Sequence, residues 1–551
     1  MAEIILINPR FDPTYWGLDY ALPFFRKSAL LPPLNLSLLA GLTPPEHSVS
    51  ILDENVEEID YERCRRADIV GLTGMVVQRQ RMSEIIIELK RRGIFTVLGG
   101  PCATVSPEDL GPLADVVFIG EAEETWPRFL AEWSEGRQQS RYEQADKTDM
   151  ATVPSPRFDL LKMDKYLYGS LQVSRGCPFT CEFCDIIVVF GRRPRVKTVA
   201  QVIAEMEGLV AAGIHDAFIV DDNLIGNKKA IKTILREMIA WQEARGYPLS
   251  FITEASIDLA EDEELMQLMV KANIDTVFVG IESPNEDALR ETKKIQNLTD
   301  RSGTALEKVH RIQEAGLMVT CGMIVGFDSD DESVFEAQRQ FVHEARIGLA
   351  MVNILCAIPQ TPLFKRLSAA GRLVDGDALN RHSTFAVSNV VPLKMTQQTL
   401  NDGYLELMRS LYTVDAFFSR LDAVCFGTRW LPAAGRTQYL RRHRLRWLKL
   451  RARAGVEAVY LFVQLMRRVP DATLRRHYRA RLWNVLKNRP NIRLLRFYCL
   501  ACAMHFHYDR LIGQMEADPV VTHPAAGPDG GELVVGVPTS PVGQAVHVAA
   551  E

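Results

Sequence analysis

The chain has 551 residues, 47% of them hydrophobic and 24% charged. That composition is ordinary for globular protein and excludes wholesale disorder, a collagen-like repeat and a small disulfide scaffold; the length suggests three or four domains. The 64 Lys/Arg and 69 Asp/Glu leave a net charge of only −5, yet residues 429–510 hold 20 Lys/Arg against three acids, Glu457, Asp471 and Asp509. A local positive field of that size attracts polyanions or an anionic membrane surface. In chain order, residues 3–8 read as a buried strand and 31–42 as a helix. Residues 49–52, 69–72, 96–98 and 116–119 read as further strands, with a helix running from the second of these through Arg91. Strands alternating with helices imply an α/β, doubly wound parallel sheet. Ligands of such sheets bind at the C-terminal strand ends, here Asn8, Asp53, Thr73, Gly99-Gly100 and Gly120-Glu121.

Residues 135–156 are polar and Pro-containing and read as a linker. Strands at 171–174, 217–221, 250–254, 276–281, 319–325 and 350–357, with helices such as 199–212 and 230–245, predict a partial (β/α)6 barrel. Its catalytic face would be the C-terminal strand ends, where Glu254 supplies an acid. After about residue 395 the strand pattern stops. Helices are expected at 396–420, 435–453, 456–468, 471–487 and 491–515, punctuated by Pro470 and Pro490. The expected domains are 1–140 (doubly wound), 141–165 (linker), 166–390 (barrel), 391–515 (helical and basic) and 516–551 (a disordered tail rich in Pro, Gly, Ala and Val). Glu3 ahead of the first apolar run, with no basic lead, does not read as a secretory signal. The longest apolar stretch near the C-terminus, 456–466, is about half a membrane span. Ten cysteines without a pairing lattice fit a cytoplasmic location, where they are better read as metal ligands than as disulfides.

The strongest chemical signal is Cys177, Cys181 and Cys184, spaced C-x3-C-x2-C just after the first barrel strand. Three close thiolates hold three irons of a 4Fe–4S cluster and leave the fourth for a small molecule. Structural zinc needs a fourth ligand, and no other Cys or His lies nearby in the sequence. This spacing at this place resembles the radical S-adenosylmethionine (SAM) enzymes over about residues 165–385. The resemblance implies that the open iron chelates the methionine moiety of SAM, and that reductive cleavage yields a 5′-deoxyadenosyl radical that abstracts hydrogen from substrate. It also implies cofactor contacts. Phe183 would lie against the adenine, and Asp221-Asp222-Asn223 would meet the methionine amine, although the family usually carries a Glu after glycines there. Gly280, Glu282 and Ser283 would meet the ribose, and the stretch from Gly322 to Gly326 would lie beside the adenine. Arg192, Arg193, Arg195 and Lys197 read either as an anion site or as a solvated basic loop.

A doubly wound domain ahead of such a barrel resembles the cobalamin-binding subclass. That resemblance implies cobalamin contacts at Thr73, Gly99, Gly100, Gly120 and Glu121, and at the 12–17 stretch, including Asp12. Thr14 stands where the classical motif has its cobalt-ligating His; Thr cannot replace an imidazole, so no histidine lower ligand is expected. Only Cys64 and Cys102 occur in this domain, which argues against the second, three-cysteine cluster of methylthiotransferases. The interleaved basic and apolar residues at 441–451, followed by Tyr460 and Phe462, read as a membrane-surface element or a solvated basic face. Aromatic platforms for RNA usually lie on sheets or loops, so no nucleic-acid partner is expected. Cys499, Cys502, His505 and His507 read as core residues, because His507 points away from the other three on one helix.

The cluster loop CDIIVVFGRRPRVKT, the stretch VDDNLIGNKK and the basic helical C-terminus resemble the hopanoid C-2 methylase-like group of cobalamin-dependent radical SAM proteins. The implied activity is methylation of an unactivated carbon, on a small-molecule or lipid substrate, with 4Fe–4S, SAM and cobalamin as cofactors. A reductant such as flavodoxin or ferredoxin and peripheral contact with the inner face of a membrane go with it. The alternatives are a radical oxidation or ring closure on a natural product or tetrapyrrole, a methylase of a non-lipid substrate, and a non-catalytic cobalamin sensor or RNA-associated protein.

Overall fold

The computed structural model describes residues 1–374 and 388–517. The first sheet contains β1 (Glu3–Asn8), β2 (Ser48–Asp53), β3 (Ile69–Thr73), β4 (Thr96–Gly99), β5 (Val116–Ile119) and β6 (Arg141–Glu143). All pair in parallel, in the order β2-β1-β3-β4-β5-β6. The continuous apolar run of β1 suits a strand covered on both faces, and four of its six residues are buried. The linker reading needs correction. Residues 141–143, R-Y-E, form the edge strand β6, because Tyr142 is fully buried and stacks on Phe118 at 5.2 Å.

The second sheet contains β7 (Gly169–Leu171), β10 (Asp216–Ile219), β11 (Ser250–Glu254), β12 (Ile274–Glu282), β13 (Met318–Val325) and β14 (Ala350–Ile354). They are parallel and in sequence order, with β7 and β14 as the two edges. Between β7 and β10, β8 (Ser174–Arg175) pairs antiparallel with β9 (Arg195–Val196), so the cysteine loop is the excursion of a small hairpin. The segment between β1 and the helix Leu34–Leu42 touches both edge strands. Tyr15 donates to the carbonyl of Ala350 at 2.7 Å, and Ser170 donates to that of Pro32 at 3.3 Å.

After residue 388 the described residues form six helices: Gln397–Leu411, Val414–Gly427, Ala434–Arg442, Arg444–Arg468, Ala472–Asn488 and Ile492–Ala517. The expected helix 396–420 is two, because the Thr413 hydroxyl accepts from Ala416 N and opens a new N-terminus. The expected break near Gly455 is absent, and one helix of 25 residues runs through it. The layer packs across the beginnings of the barrel strands: Trp430 Nε1 donates to the Asp275 carbonyl at 2.8 Å and Ala433 N to the Asp275 carboxylate at 3.1 Å. Residues 516 and 517, expected in the tail, end the last helix; the rest of that tail lies outside the described residues.

Candidate active site

The cysteine loop is held from below by three consecutive polar residues after β10. Asp221 accepts from Val173 N and Ser174 Oγ, both at 2.7 Å, and Asp222 accepts from Gly176 N at 2.7 Å. Burial raises both carboxyls, Asp221 to about 7 and Asp222 to about 6. Gly176 has φ +90°, and a Cβ there would lie 2.9 Å from the Gly191 carbonyl oxygen, so only glycine fits the turn that delivers Cys177. Asn223 Nδ2 points at Cys177 Sγ (3.8 Å) and Gln296 Nε2 at Cys181 Sγ (3.6 Å). Burial raises the Cys177 and Cys184 thiols, and Lys294 opposes that shift at both.

Around the loop stand the ends of β11, β12 and β13. Lys294 pairs with Glu282 at 2.8 Å, and its ammonium lies 5.9 Å from the Phe183 ring centre. Glu282 has φ +65°, a strained value for a non-glycine residue. A Cβ on Gly280 would sit 2.4 Å from Glu282 Oε1, and Asn297 Nδ2 fixes the Gly280 and Ile281 carbonyls at 2.8 Å each. A Cβ on Gly322 would meet the Phe278 ring at 3.1 Å. Glu254 is pushed up to about 8 by burial and by Asp222, Asp221 and Glu282. Ser283 and Gly326 serve turns: Ser283 Oγ accepts from Asn285 N, and Gly326, at φ +100°, donates to Asp330. Lys294, Gln296, Asn297 and Ser256, whose hydroxyl oxygen accepts from Asn223 Nδ2 at 3.0 Å, are additions that no spacing pattern marks.

The ends of the first sheet border the same space. Gln360, beyond β14, donates to the Thr104 and Val105 carbonyls beyond β4. Glu121 and Glu123, beyond β5, pair with Arg175 of β8 at 2.9 and 2.6 Å, and Arg195 of β9 joins Glu121 at 2.9 Å. Glu121 is therefore occupied by two arginines and by Thr148 N. Arg195 is paired in that buried network, and Lys197 is paired with Glu205 in the interior, so neither is a solvated loop residue or a free anion site. Arg192 and Arg193 are exposed. Asp53 accepts from Asn8, Asn55 and the Tyr166 hydroxyl. Thr73, Gly99, Gly100 and Gly120 remain as strand ends; a Cβ on Gly100, at φ +91°, would collide with Thr73 Oγ1. Thr14 belongs elsewhere: its carbonyl accepts from His507 Nε2 at 2.9 Å, and Asp12 beside it is exposed. His505 bonds the Tyr478 hydroxyl at 2.8 Å and Cys499 Sγ points at the Ala458 carbonyl, so with the fully buried Cys502 these side chains pack in the helical core.

Known families match along this chain. The radical SAM superfamily matches residues 171–341, the B12 binding domain 28–130, and a domain of unknown function (DUF4070) 361–518. An uncharacterised methyltransferase of Synechocystis sp. is 39% identical over 418 residues, 76% of this chain and 77% of that protein. The hopanoid C-2 methylase of Rhodopseudomonas palustris is 33% identical over 440 residues, 78% of this chain and 81% of that one.

The chain belongs to the cobalamin-dependent radical SAM methyltransferases.

In fold, this methyltransferase is similar to the solved radical SAM methyltransferase TsrM of Kitasatospora setae, which has cobalamin and a 4Fe–4S cluster bound. The TM-score is 0.57 at 17% identity, covering 81% of this chain and 100% of that one. The methyltransferase family uses a 4Fe–4S cluster, SAM and cobalamin, and the residues present suit all three. The cysteine loop offers three thiols, two of them with amide donors aimed at sulfur. Asp222, Glu254, Glu282 and Lys294 stand together beside the cysteine loop, polar side chains that suit the amine and hydroxyl groups of SAM. Gly99, Gly100 and Gly120 leave bare backbone for a large planar ligand to approach.

Proposed function

We propose that this chain is a C-methylase of an unactivated carbon in a hopanoid-type lipid. The observation that carries the lipid reading is an apolar cavity, partly open to solvent, inside the barrel. It is lined among others by Phe218, Ile252, Phe278, Thr320 and Met351. Ile252, Phe278 and Thr320 each stand two residues before Glu254, Gly280 and Gly322, on the same strand face and about 7 Å below them. The 33% identity to a hopanoid C-2 methylase supports the same substrate class.

In this reading Cys177, Cys181 and Cys184 hold the cluster, with Asn223 and Gln296 donating to two of the sulfurs. Phe183, Gly280, Glu282 and Gly322 wall the SAM site, with Ser283 and Gly326 fixing its turns. Asp222 holds the cysteine loop through Gly176 N, and Glu254 keeps its proton at neutral pH. Thr73, Gly99, Gly100 and Gly120 border the cobalamin. When bound, these groups supply reductive SAM cleavage, hydrogen abstraction and methyl transfer; the chain positions them and excludes water. A small cytoplasmic reductant such as flavodoxin or ferredoxin supplies electrons, and no nucleic acid takes part. No helix among the described residues is long and apolar enough to cross a membrane, and the basic helical layer is read as a peripheral contact.

The test is incubation of the anaerobically reconstituted protein with trideuteromethyl-SAM, reductant, methylcobalamin and a hopanoid-bearing lipid extract. Labelled lipid together with 5′-deoxyadenosine is the expected result. Formation of 5′-deoxyadenosine without labelled lipid would leave the radical chemistry and remove the hopanoid substrate.

A further inference from the structure

In a closed (β/α) barrel the interior is filled by layers of side chains. Here the middle of the barrel is a cavity. Phe218, Ile252, Phe278 and Thr320 alternate with buried neighbours along their strands and are themselves only half-buried, because they border open space. The floor of the cavity is one face of the last helix, Ile492–Ala517: Phe497, Leu500, Ala501, Met504 and Tyr508 recur at the spacing of a single helical stripe and turn apolar side chains toward the void.

The void has a lower neighbour. A larger space, partly open to solvent, lies between the strand beginnings and the helical layer. The two spaces share Tyr168, Ile252, Thr276, Phe497 and Leu500 as walls, so they abut at a neck formed by these five side chains. The lower one is bordered by Arg436, Arg446, Arg451, Arg453, Arg493 and Arg496 against only three acids, Asp216, Asp275 and Glu457. Glu457 is taken by Arg453 and Arg496, at 2.9 and 2.6 Å. Arg493 has carbonyl and hydroxyl partners but no carboxylate, and Arg436 Nε is buried without a hydrogen-bond partner. Guanidinium donors are thus in surplus at the end of an apolar shaft. From Ser250 at the lower mouth to Glu254 in the carboxyl layer is four residues of strand, about 13 Å.

We propose that the substrate is an elongated amphiphile that reaches the radical site from the N-terminal end of the barrel, opposite the first domain. Its apolar body fills the shaft, and its oxygen-rich end stays at Arg436 and Arg493. The reacting carbon then lies at the end of the molecule farthest from the polar group. This rests on the lipid reading above for the substrate class, but the passage itself is tested by binding alone.

The probe is cis-parinaric acid, a fluorescent fatty acid, titrated into the reconstituted full-length protein and then displaced with bacteriohopanetetrol. Leu500→Trp and Met504→Trp place a larger side chain into open space at the neck and in the shaft, so the core is not overpacked; thermal midpoints check the fold. Expected are saturable fluorescence, at least tenfold weaker binding in both Trp variants, and about three- to tenfold weaker binding in Arg436→Gln and Arg493→Gln. Wild-type affinity in folded Leu500→Trp and Met504→Trp would overturn the passage. So would methylation of a hopanoid by Leu500→Trp with unchanged KM, which would leave the hopanoid reading standing. Tenfold losses for the probe without displacement by bacteriohopanetetrol would uphold the passage and remove the hopanoid.

Discussion

A single neutral imidazole fastens the last helix to the segment that follows β1. His507 Nδ1 accepts from Tyr20 N at 3.2 Å while Nε2 donates to the Thr14 carbonyl at 2.9 Å, a pair of bonds that only the uncharged ring makes. The ring is fully buried, and burial lowers its pKa from 6.5 to about 4. A depressed folded-state pKa means that the stabilisation is complete above 6.5 and is lost as pH falls toward 4. The shift corresponds to about 3 kcal/mol at full protonation. His507→Gln keeps an acceptor and a donor and does not titrate. Thermal midpoints of the two proteins should therefore diverge between pH 7 and pH 4.5, with the wild type falling more steeply. Parallel curves would mean that the imidazole is not held neutral by the fold. His505, also lowered to about 4, and Glu254, raised to about 8, titrate alike in both proteins and cancel from the comparison. This clamp explains what the 12–17 stretch does in the fold, and nothing in the sequence joins Thr14 to a residue 493 positions later. The cysteine triplet, in contrast, declares itself because three thiols within eight residues have few other uses. Lys294 and Gln296 lie in a polar loop whose position beside the sulfurs only the folded chain discloses.

At the scale of elements, the hairpin of β8 and β9 carries the cysteine loop and is tied to the first sheet by buried ions. Arg175 and Arg195 are 8% and 12% exposed and Glu121 only 2%. Removing one charge from such a group leaves the others desolvated and unpaired, typically at about 3 to 5 kcal/mol. The Arg141–Glu143 pair on β6 is more than half exposed at both partners, where such a pair is worth about 1 kcal/mol or less. Denaturant unfolding should therefore show a loss of about 3 kcal/mol for Glu121→Gln and less than about 1 kcal/mol for Glu143→Gln. Equal losses would remove the ion group as the tie between sheet and hairpin. The same contrast explains what a reader of the chain sees and misses. Long apolar runs such as β1 are read correctly because both faces are covered. The edge strand β6 is missed because it has three residues, two of them charged, and Tyr142 is its one buried side chain. The turn at Tyr412-Thr413 has no Gly or Pro to mark it, whereas Gly455 looks like a break and is carried through by a helix packed along the last one.

The whole molecule separates its charges and its tasks along one axis. The first sheet meets the C-terminal end of the barrel; the basic helices cover the opposite end. The helix Arg444–Arg468 has two faces. Trp447, Leu450, Arg451, Ala454 and Leu461 border the lower space, while Leu445, Leu448, Val456, Val459 and Val463 lie within about 80° of one another on the other side. Those five are exposed, Leu445 and Val456 by 79% and 71%. Arg444, Lys449, Arg453 and Arg467 flank this stripe, the pattern of a helix that lies in the plane of an anionic bilayer surface. An interfacial helix there would set the mouth of the shaft against the phase that dissolves a lipid substrate. The protein should therefore sediment with vesicles containing phosphatidylglycerol and not with phosphatidylcholine alone. Binding should weaken as salt rises from about 0.1 to 1 M, because the Debye length falls from about 10 to 3 Å. Leu445→Ser, Leu448→Ser and Val459→Ser together should weaken it at least tenfold, since each substitution removes an apolar group worth about 1 kcal/mol or more at the interface. All three side chains are exposed, so the melting point should hold. Salt-sensitive binding that survives the triple substitution would mean that the arginines alone meet the membrane and that the stripe covers something else. If the protein sediments with neither kind of vesicle, the lower mouth opens to water, and the lipid must be delivered to it by a carrier.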